Sequence, residues 1–290
     1  MRKLITLILV MIIGQHLWAY DFASSGIYYN VTSSSSPYKV EVTWSMTSKY
    51  KGVVTVPSTV RFAGIDYSVS AIGEDAFSFG NTLTSVSLPT SIKSIGKRAF
   101  QSCYGLTSMN IPDSVKSISD SVFIGCSKLQ AFTIPALVET LGVSVLSGCN
   151  NITTIEVSPK NQNFQYIQGV LYDVKMSTAV YCLRSMFGSI NMPDWITRIG
   201  DGVFSGCFKI TTIHLSTRLK SIGSWAFSFC NGLTTINIPD SVVSIESSAF
   251  QSCESLTSIT IPRYVTSITY SGDTRSRFPV MSVHCLFKND

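Results

Sequence analysis

Apolar residues recur along most of this chain with a period of 23 residues. In the regular units they stand at positions 1, 4, 6, 10, 13 and 18, and six units carry cysteine at position 21. The unit that begins at Ile152 departs from this pattern after position 6, and the unit that begins at Leu256 departs from it at position 18. A single unit cannot bury these residues alone, but stacked units can, because each position lies on the same position of the next unit. The units begin at these residues: Leu83, Leu106, Leu129, Ile152, Phe187, Ile210, Leu233 and Leu256.

The spacing inside each unit predicts short strands joined by turns. Apolar residues three and then two positions apart, followed by proline, favour a strand that ends at a corner, because proline cannot donate to a strand ladder. In one unit Pro112 is followed by Asp113 and Ser114, whose side chains favour a turn by bonding nearby backbone. A second short extended segment comes next, and then a tight segment that carries Phe123.

A period of about 20–29 residues that opens with L-x-x-L-x-L is typical of leucine-rich repeats. We therefore predict a mostly β fold: a right-handed leucine-rich-repeat solenoid of 23-residue rungs, with parallel strands on the concave face and an N-terminal antiparallel β cap. Position 18 supports this prediction, because a large apolar residue recurs there and should lie in the core. Its occupants are Phe77, Phe100, Phe123, Leu146, Phe204, Phe227 and Phe250.

The sequence pattern of the unit resembles the BspA-type leucine-rich repeat, also called the Treponema-type repeat, over about residues 52–268. The resemblance rests on Ile-Gly, then Ala-Phe, then Cys, in one unit at Ile95, Gly96, Ala99, Phe100 and Cys103. It implies an exported or surface protein, since several similar proteins act in adhesion. It also implies that there are no catalytic residues to carry over.

The start of the chain predicts export. Arg2 and Lys3 precede an apolar run over residues 4–13, and Ala19 is a plausible cleavage position, so we interpret residues 1–19 as a signal peptide. The alternative is a membrane anchor, but the run is shorter than the ~20 residues that a span needs. We therefore expect no transmembrane span after cleavage, and a secreted, periplasmic or cell-surface location.

Breaks in the period divide the rest of the chain. Residues 20–82 are rich in β-branched and aromatic residues, and we interpret them as a β cap with a first irregular rung. The solenoid should cover residues 83–268, with an irregular hairpin insert at about 159–186 and a C-terminal cap over 269–290. Because insertions in repeats map to one face and often serve binding, the insert is either a ligand site or an irregular rung.

Five aromatic residues of the N-terminal segment admit two interpretations. They either pack within the cap, as large apolar residues usually do, or form a binding surface, since aromatic residues also anchor interfaces. Packing is the interpretation that we favour. The residues are Tyr28, Tyr29, Tyr38, Trp44 and Tyr50.

The cysteines favour a column of free thiols over a disulfide framework. Equivalent positions of stacked rungs lie ~4.8 Å apart with parallel side chains, whereas a disulfide needs particular Cβ geometry. Small buried thiols fit such a column. Cys182 and Cys285 stand outside it, and their state stays open. The column residues are Cys103, Cys126, Cys149, Cys207, Cys230 and Cys253.

Composition and motifs argue against several classes of function. Removing Arg2 and Lys3 leaves 20 basic and 17 acidic residues, which are dispersed, so we expect no nucleic-acid partner. There is no Gly-x-Ser-x-Gly elbow, nucleotide loop, His-Glu-x-x-His or clustered Cys/His spacing. We therefore predict that the protein is not an enzyme and uses no cofactor or metal ion. A hydrolase that uses His214 is a remote alternative, because only His214 and His284 could serve a triad in the mature chain.

The outward positions of the first strand of each unit form a field of small hydroxyl groups, with Glu156 and His214 as departures. Threonine suits a strand, so this field is either a solvated β surface or a broad docking surface. The possible ligand surface consists of Asn110, Thr154, Glu156, Thr212, His214, Thr235 and Asn237.

These observations predict a non-enzymatic binding protein, exported or at the cell surface. It would recognise an extracellular protein or glycan through the solenoid surface, with adhesion as one such role. The alternative is a structural or accessory subunit of a surface assembly.

Overall fold

The computed structural model describes residues 20–46, 48–265, 267–268 and 282–285, and only the backbone of the last two segments. The predicted signal peptide and most of the predicted C-terminal cap lie outside the described residues. The described residues form strands and turns without an α-helix, as predicted. Among them we find no helix of the length and apolar character needed to cross a membrane.

Six strands form the N-terminal region: β1 Phe22–Ser24, β2 Ile27–Ser33, β3 Lys39–Thr43, β4 Gly52–Thr55, β5 Thr59–Phe62 and β6 Ile65–Ile72. Strands β1, β2 and β3 pair antiparallel, and β5 and β6 form an antiparallel hairpin. Strand β3 then pairs parallel with β6, and this is where the parallel stack begins. The antiparallel cap of the predicted fold is thus confirmed.

The first regular rungs carry β7 Leu83–Ser87, β8 Ser94–Ile95, β9 Ser117–Ile118, β10 Ala131–Ile134, β11 Thr140–Leu141 and β12 Thr154–Val157. An antiparallel meander interrupts them, consisting of β13 Phe164–Ile167, β14 Val170–Asp173 and β15 Thr178–Cys182. Strands β14 and β15 form an antiparallel hairpin within the stretch 159–186, where the insert was expected. Strand β13 was not predicted.

The remaining strands return to the regular pattern. They are β16 Phe187–Asn191, β17 Arg198–Ile199, β18 Lys209–His214, β19 Ser221–Ile222, β20 Thr235–Ile236, β21 Ser244–Ile245, β22 Ser258–Ile261, β23 Ser267–Ile268 and β24 Ser282–Cys285. The last strand pairs parallel with β22, so it extends the stack by one position.

Each rung contributes to three parallel columns. The first ladder contains strands at the start of most units, such as β10 and β12. The unit that begins at Leu106 contributes only the isolated bridge between Asn110 and Ser87. The second ladder contains mostly two-residue strands, of which most read Ser-Ile. Its strands pair in the order β6, β8, β9, β11 and, after the meander, in the order β15, β17, β19, β21, β23. The turn column contains the tight segments with Phe or Leu at position 18, where Phe77 and Phe100 stack with ring centroids 5.0 Å apart.

Backbone hydrogen bonds join the rungs in two opposite directions. In the turn column an earlier rung donates to a later one, as from Phe77 N–H to the Ala99 carbonyl at 2.7 Å. In the second ladder the later rung donates, as from Gly96 N–H to the Ile72 carbonyl at 2.8 Å. Both sides of the rung are thus tied to the next one, which satisfies backbone groups that would otherwise be buried unpaired.

Side chains of the turn after each first strand also join the rungs. The hydroxyl of Ser114 donates to the Ile92 carbonyl at 2.8 Å, and that of Ser241 donates to the Leu219 carbonyl at 2.7 Å. The sequence predicted bonds to nearby backbone for these turns. The structure differs for these two serines, whose hydroxyls donate to a carbonyl of the preceding rung instead.

The meander, which we call the partition (residues 164–182), separates two hydrophobic cores. All four residues of β14 are buried, because both of its faces are covered. Leu171 packs in the core of the first half, whereas Val170 and Tyr172 pack in the core of the second half. The partition therefore covers the end of one stack and the start of the next.

The partition begins with the same kind of hairpin as the N-terminus. The β1–β2 turn has positive φ at Ser25 (49°) and Gly26 (77°), and the β13–β14 turn has it at Gln168 (48°) and Gly169 (80°). A buried tyrosine, Tyr29 or Tyr172, lies three residues after each glycine. Each half of the solenoid thus opens with an antiparallel hairpin.

Candidate functional site

The predicted ligand surface lies on the outward side of the first ladder. Its residues are exposed except for Thr212, which is half-buried: Asn110, Thr154, Glu156, Thr212, His214, Thr235 and Asn237. Strand alternation explains this, because the intervening residues such as Ile155 and Ile213 point into the core. Sequence periodicity alone thus predicted which side chains face outward.

The partition divides this surface. Thr154 and Glu156 pair with Ala131 and Thr133 in the two-stranded sheet β10–β12. The sheet β16–β18–β20 holds the second group, in which Thr212 pairs with Thr235 and His214 pairs with Asn191. The structure records no pairing between β12 and β16. Asn110 belongs to neither of these two sheets, and an isolated β-bridge joins it to Ser87.

Glu156 and His214, which the sequence singled out together, therefore belong to different sheets. Glu156 lines an open hollow of about 650 Å³ at the unpaired edge of β12, next to Gln165 and Tyr166 of the partition. His214 ends β18 and is exposed. A ligand that contacts both side chains must bridge the partition.

A partly enclosed cavity lies at the break between the halves. It has a volume of about 230 Å³ and is lined by Leu146 of the last rung before the partition, by Tyr181 and Arg184, and by Trp225 of the second half. A neighbouring cavity of about 220 Å³ contains Arg198, which is paired with Asp201 and with Glu246. The interruption of the period signalled this region, but the sequence did not identify the side chains that meet there.

The cysteine column is structural in its contacts. All seven cysteines whose side chains the structure describes are free and buried, which confirms the prediction for the six column positions and shows Cys182 to be a thiol. Five of the six column thiols donate to a phenylalanine carbonyl of the preceding rung, as from Cys126 Sγ to Phe100 at 3.0 Å. Cys207 donates to the Leu183 carbonyl instead. Burial raises the pKa of Cys149 to about 12 and that of Cys253 to about 11, so these thiols stay protonated near neutral pH.

Four of the five N-terminal aromatics pack in or against the core. Tyr29 and Tyr50 are buried, and Tyr28 and Tyr38 pack against the same cluster. The hydroxyl of Tyr50 donates to the Thr43 carbonyl at 2.8 Å and accepts from Tyr28 N–H. Trp44 is half-buried, and the Lys49 ammonium lies 5.5 Å from its ring centroid.

No group of three or more His, Cys, Asp or Glu side chains suited to a metal ion occurs in the part of the chain that the structure describes. What the site offers is an extended, mostly uncharged surface with hollows at its break. The parallel ladders and stacked rungs define the class of protein as a leucine-rich-repeat solenoid.

The repeat pattern of the BspA type leucine rich repeat region matches residues 59–168 and 176–272, in six copies. The chain therefore belongs to the BspA-type leucine-rich repeat family. The expected resemblance is confirmed. No curated protein matches the sequence.

Several solved structures are similar to this chain. The pneumococcal vaccine antigen PcpA is 19% identical with a TM-score of 0.65, over 86% of this chain and 77% of that one. The leucine-rich repeat protein TpLRR of T. pallidum is 19% identical with a TM-score of 0.44, over 73% and 90%. A leucine-rich repeat protein of Bacteroides ovatus is 20% identical with a TM-score of 0.40, over 87% and 90%. At such identities, the similarity to PcpA concerns the fold.

Proposed function

We propose that this protein is an exported or cell-surface binding protein that recognises an extracellular protein or glycan without catalysing a reaction. The observation that carries the proposal is the outward side of the first ladder, a field of small polar side chains held on a rigid stack. Leucine-rich-repeat stacks present extended binding surfaces of this kind. Membership in the BspA-type family supports a role in binding or adhesion.

Export is the second part of the proposal. The basic start and apolar run of residues 1–19 support it. Membership in the BspA-type family supports it as well. Cell fractionation with a tagged full-length chain tests this part. Retention of the tagged protein inside the cell with an intact N-terminus would contradict it.

The binding surface can be tested with a four-residue variant. Thr154, Glu156, Thr212 and His214 are changed to arginine, and binding of the purified protein to immobilised matrix proteins, a glycan array and whole cells is compared with the unchanged chain. We expect the variant to lose at least about tenfold in affinity, because bulky cations block close approach over the whole surface.

The matched control changes exposed residues of the corner turns, Thr90, Thr217 and Asp240, to arginine. It adds similar charge away from the first ladder and should leave binding unchanged. If the four-residue variant binds as well as the control, the first ladder is not the binding surface. If instead a partner from the same cell co-purifies with the chain and no outside ligand is found, an accessory subunit of a surface assembly is the better function.

A further inference from the structure

A second hollow opens beside the break in the first ladder, away from Glu156. It has a volume of about 370 Å³, within the range of pockets that hold small ligands. The loop before β12 supplies Asn150, Asn151 and Thr153, and the other side consists of Arg184, Phe208 and Lys209. We call it the Arg184 groove.

The guanidinium of Arg184 has no acidic partner among the described residues. Its side chain is half-buried, and among the described residues it has no hydrogen bond and no ion pair. Half-burying a guanidinium group costs free energy that a carboxylate partner would offset. By contrast, Arg98 and Arg198 each form ion pairs with two carboxylates.

The position of the guanidinium depends on Gly206. A Cβ atom added at Gly206 would collide with Arg184 Nη1, so this glycine leaves the space that the guanidinium occupies. The backbone alone does not require glycine here, because Phe229 and Ser252 occupy the same repeat position with φ of 59° and 54°. Gly125 and Gly148 occupy the same repeat position with φ of 75° and have no arginine beside them, so glycine suits this turn in general. At Gly206 the missing side chain also leaves room for the Arg184 guanidinium.

Lys209 adds a second cation to the same groove. It is exposed, forms no ion pair within the described residues, and its ammonium lies 5.7 Å from the ring centroid of Phe208. None of the residues that line the groove is acidic. Arg184 also lines the 230 Å³ cavity together with Asp201, but Asp201 pairs with Arg198. Two cations that form no ion pair within the described residues make the groove favourable for anions.

The rest of the lining favours a sugar over other anions. Carboxamides both donate and accept, so Asn150 and Asn151 suit hydroxyl groups, which do the same. Phe208 is 55% exposed and offers a flat apolar face to the C–H side of a sugar ring. We propose that the Arg184 groove binds the carboxylate of an acidic sugar, with Arg184 and Lys209 on the carboxylate and the asparagines on ring hydroxyls.

The repeat supplies a matched control for this proposal. Lys128 is exposed and occupies the same repeat position as Lys209 in the first half, but Ser127 stands where Phe208 stands. Lys128 does not line the Arg184 groove. Replacing either lysine by glutamine removes the same charge from the same place in a rung, and only the Lys209 change touches the groove.

The test is an NMR titration of the purified mature chain with methyl glucuronide, methyl sialoside and methyl glucoside. We expect at least one of the two acids to bind at least about tenfold more tightly than the neutral glucoside. Tighter binding of one acid identifies the source of the carboxylate, uronic or sialic. Arg184→Gln and Lys209→Gln should each weaken binding of that acid about tenfold, and Lys128→Gln should not.

Three results would overturn the proposal: equal affinity for the glucuronide, the sialoside and the glucoside, an unchanged affinity in Arg184→Gln, or a glutamate tetrapeptide that binds the groove more tightly than either acid. Thermal melting of each variant separates loss of binding from loss of folding. Gly206→Ser is a second test of the role of Arg184. The serine side chain should displace the guanidinium without removing its charge, so this variant should also bind the acidic sugar more weakly.

This inference rests on the proposed binding function but fails separately from it. If the whole protein binds cells and neither acidic sugar binds, the groove assignment is wrong and the binding function stands. If an acidic sugar binds and the four-residue variant of the first ladder still binds cells, the first-ladder surface is wrong and the groove stands.

Discussion

At the scale of single residues, the core depends on repetition of one environment. Phe227 is fully buried between Phe204 and Phe250, with ring centroids 5.2 and 5.1 Å away and nearly parallel planes. Two residues further on, Phe229 is 52% exposed on the same rung. The position within the unit therefore decides what a phenylalanine contributes to stability.

This contrast gives a prediction. Phe227→Ala should lower the free energy of unfolding by about 3–5 kcal/mol, because it opens a cavity between two rings that cannot move together. Phe229→Ala should change it by less than ~0.5 kcal/mol. Urea unfolding of the two variants is the measurement. Similar losses in both would mean that exposure does not separate the two positions.

At the scale of elements, the two opening hairpins share a turn but not its surroundings. Gly26 has no atom within 4 Å of an added Cβ, whereas at Gly169 the added atom would overlap the side chain of Met186. Met186 packs against both cores. The second turn is thus held more tightly than the first.

Alanine at each glycine tests this difference. Both variants place alanine at positive φ, which costs roughly 1–2 kcal/mol. Gly169→Ala should lose about 1–3 kcal/mol more than Gly26→Ala, because Met186 must also move. Equal unfolding midpoints of the two variants in guanidinium chloride would show that the Met186 side chain moves aside at no cost in stability.

Sequence periodicity predicted the elements well where the repeat is regular. The second-ladder strands, the buried position 18 and most strands of the first ladder follow from the 23-residue period. The strand expected at the start of the Leu106 unit is reduced to an isolated bridge at Asn110. It did not predict that Glu156 and His214 lie in separate sheets. The 23-residue count places residues along the stack and does not show where two neighbouring strands fail to pair.

At the scale of the whole molecule, the partition separates the two hydrophobic cores. Its residues do not follow the repeat, and β14 lacks the alternation of polar and apolar residues that marks a strand with one covered face. The division into two hydrophobic cores therefore could not be predicted from the sequence pattern. Adjacent residues of β14 nevertheless face opposite halves.

We expect Leu171→Ala and Tyr172→Ala to weaken different halves, because contacts in stacked repeats are local. Hydrogen exchange followed by mass spectrometry should show faster exchange over residues 83–149 in the first variant and over 187–261 in the second. Each loss should be about 2–5 kcal/mol. Equal acceleration of both halves in both variants would show that the cores unfold as one unit.

The opposed hydrogen bonds on the two sides of each rung have an electrical consequence. In an α-helix all peptide dipoles align, so its ends carry partial charges that attract ions. Here the bond from Phe77 to Ala99 runs toward the C-terminal end, and the bond from Gly96 to Ile72 runs back. The fields of the two columns oppose each other along the axis. A charged molecule approaching this coil is consequently guided by side chains such as Arg184 and Lys209, and hardly at all by the backbone.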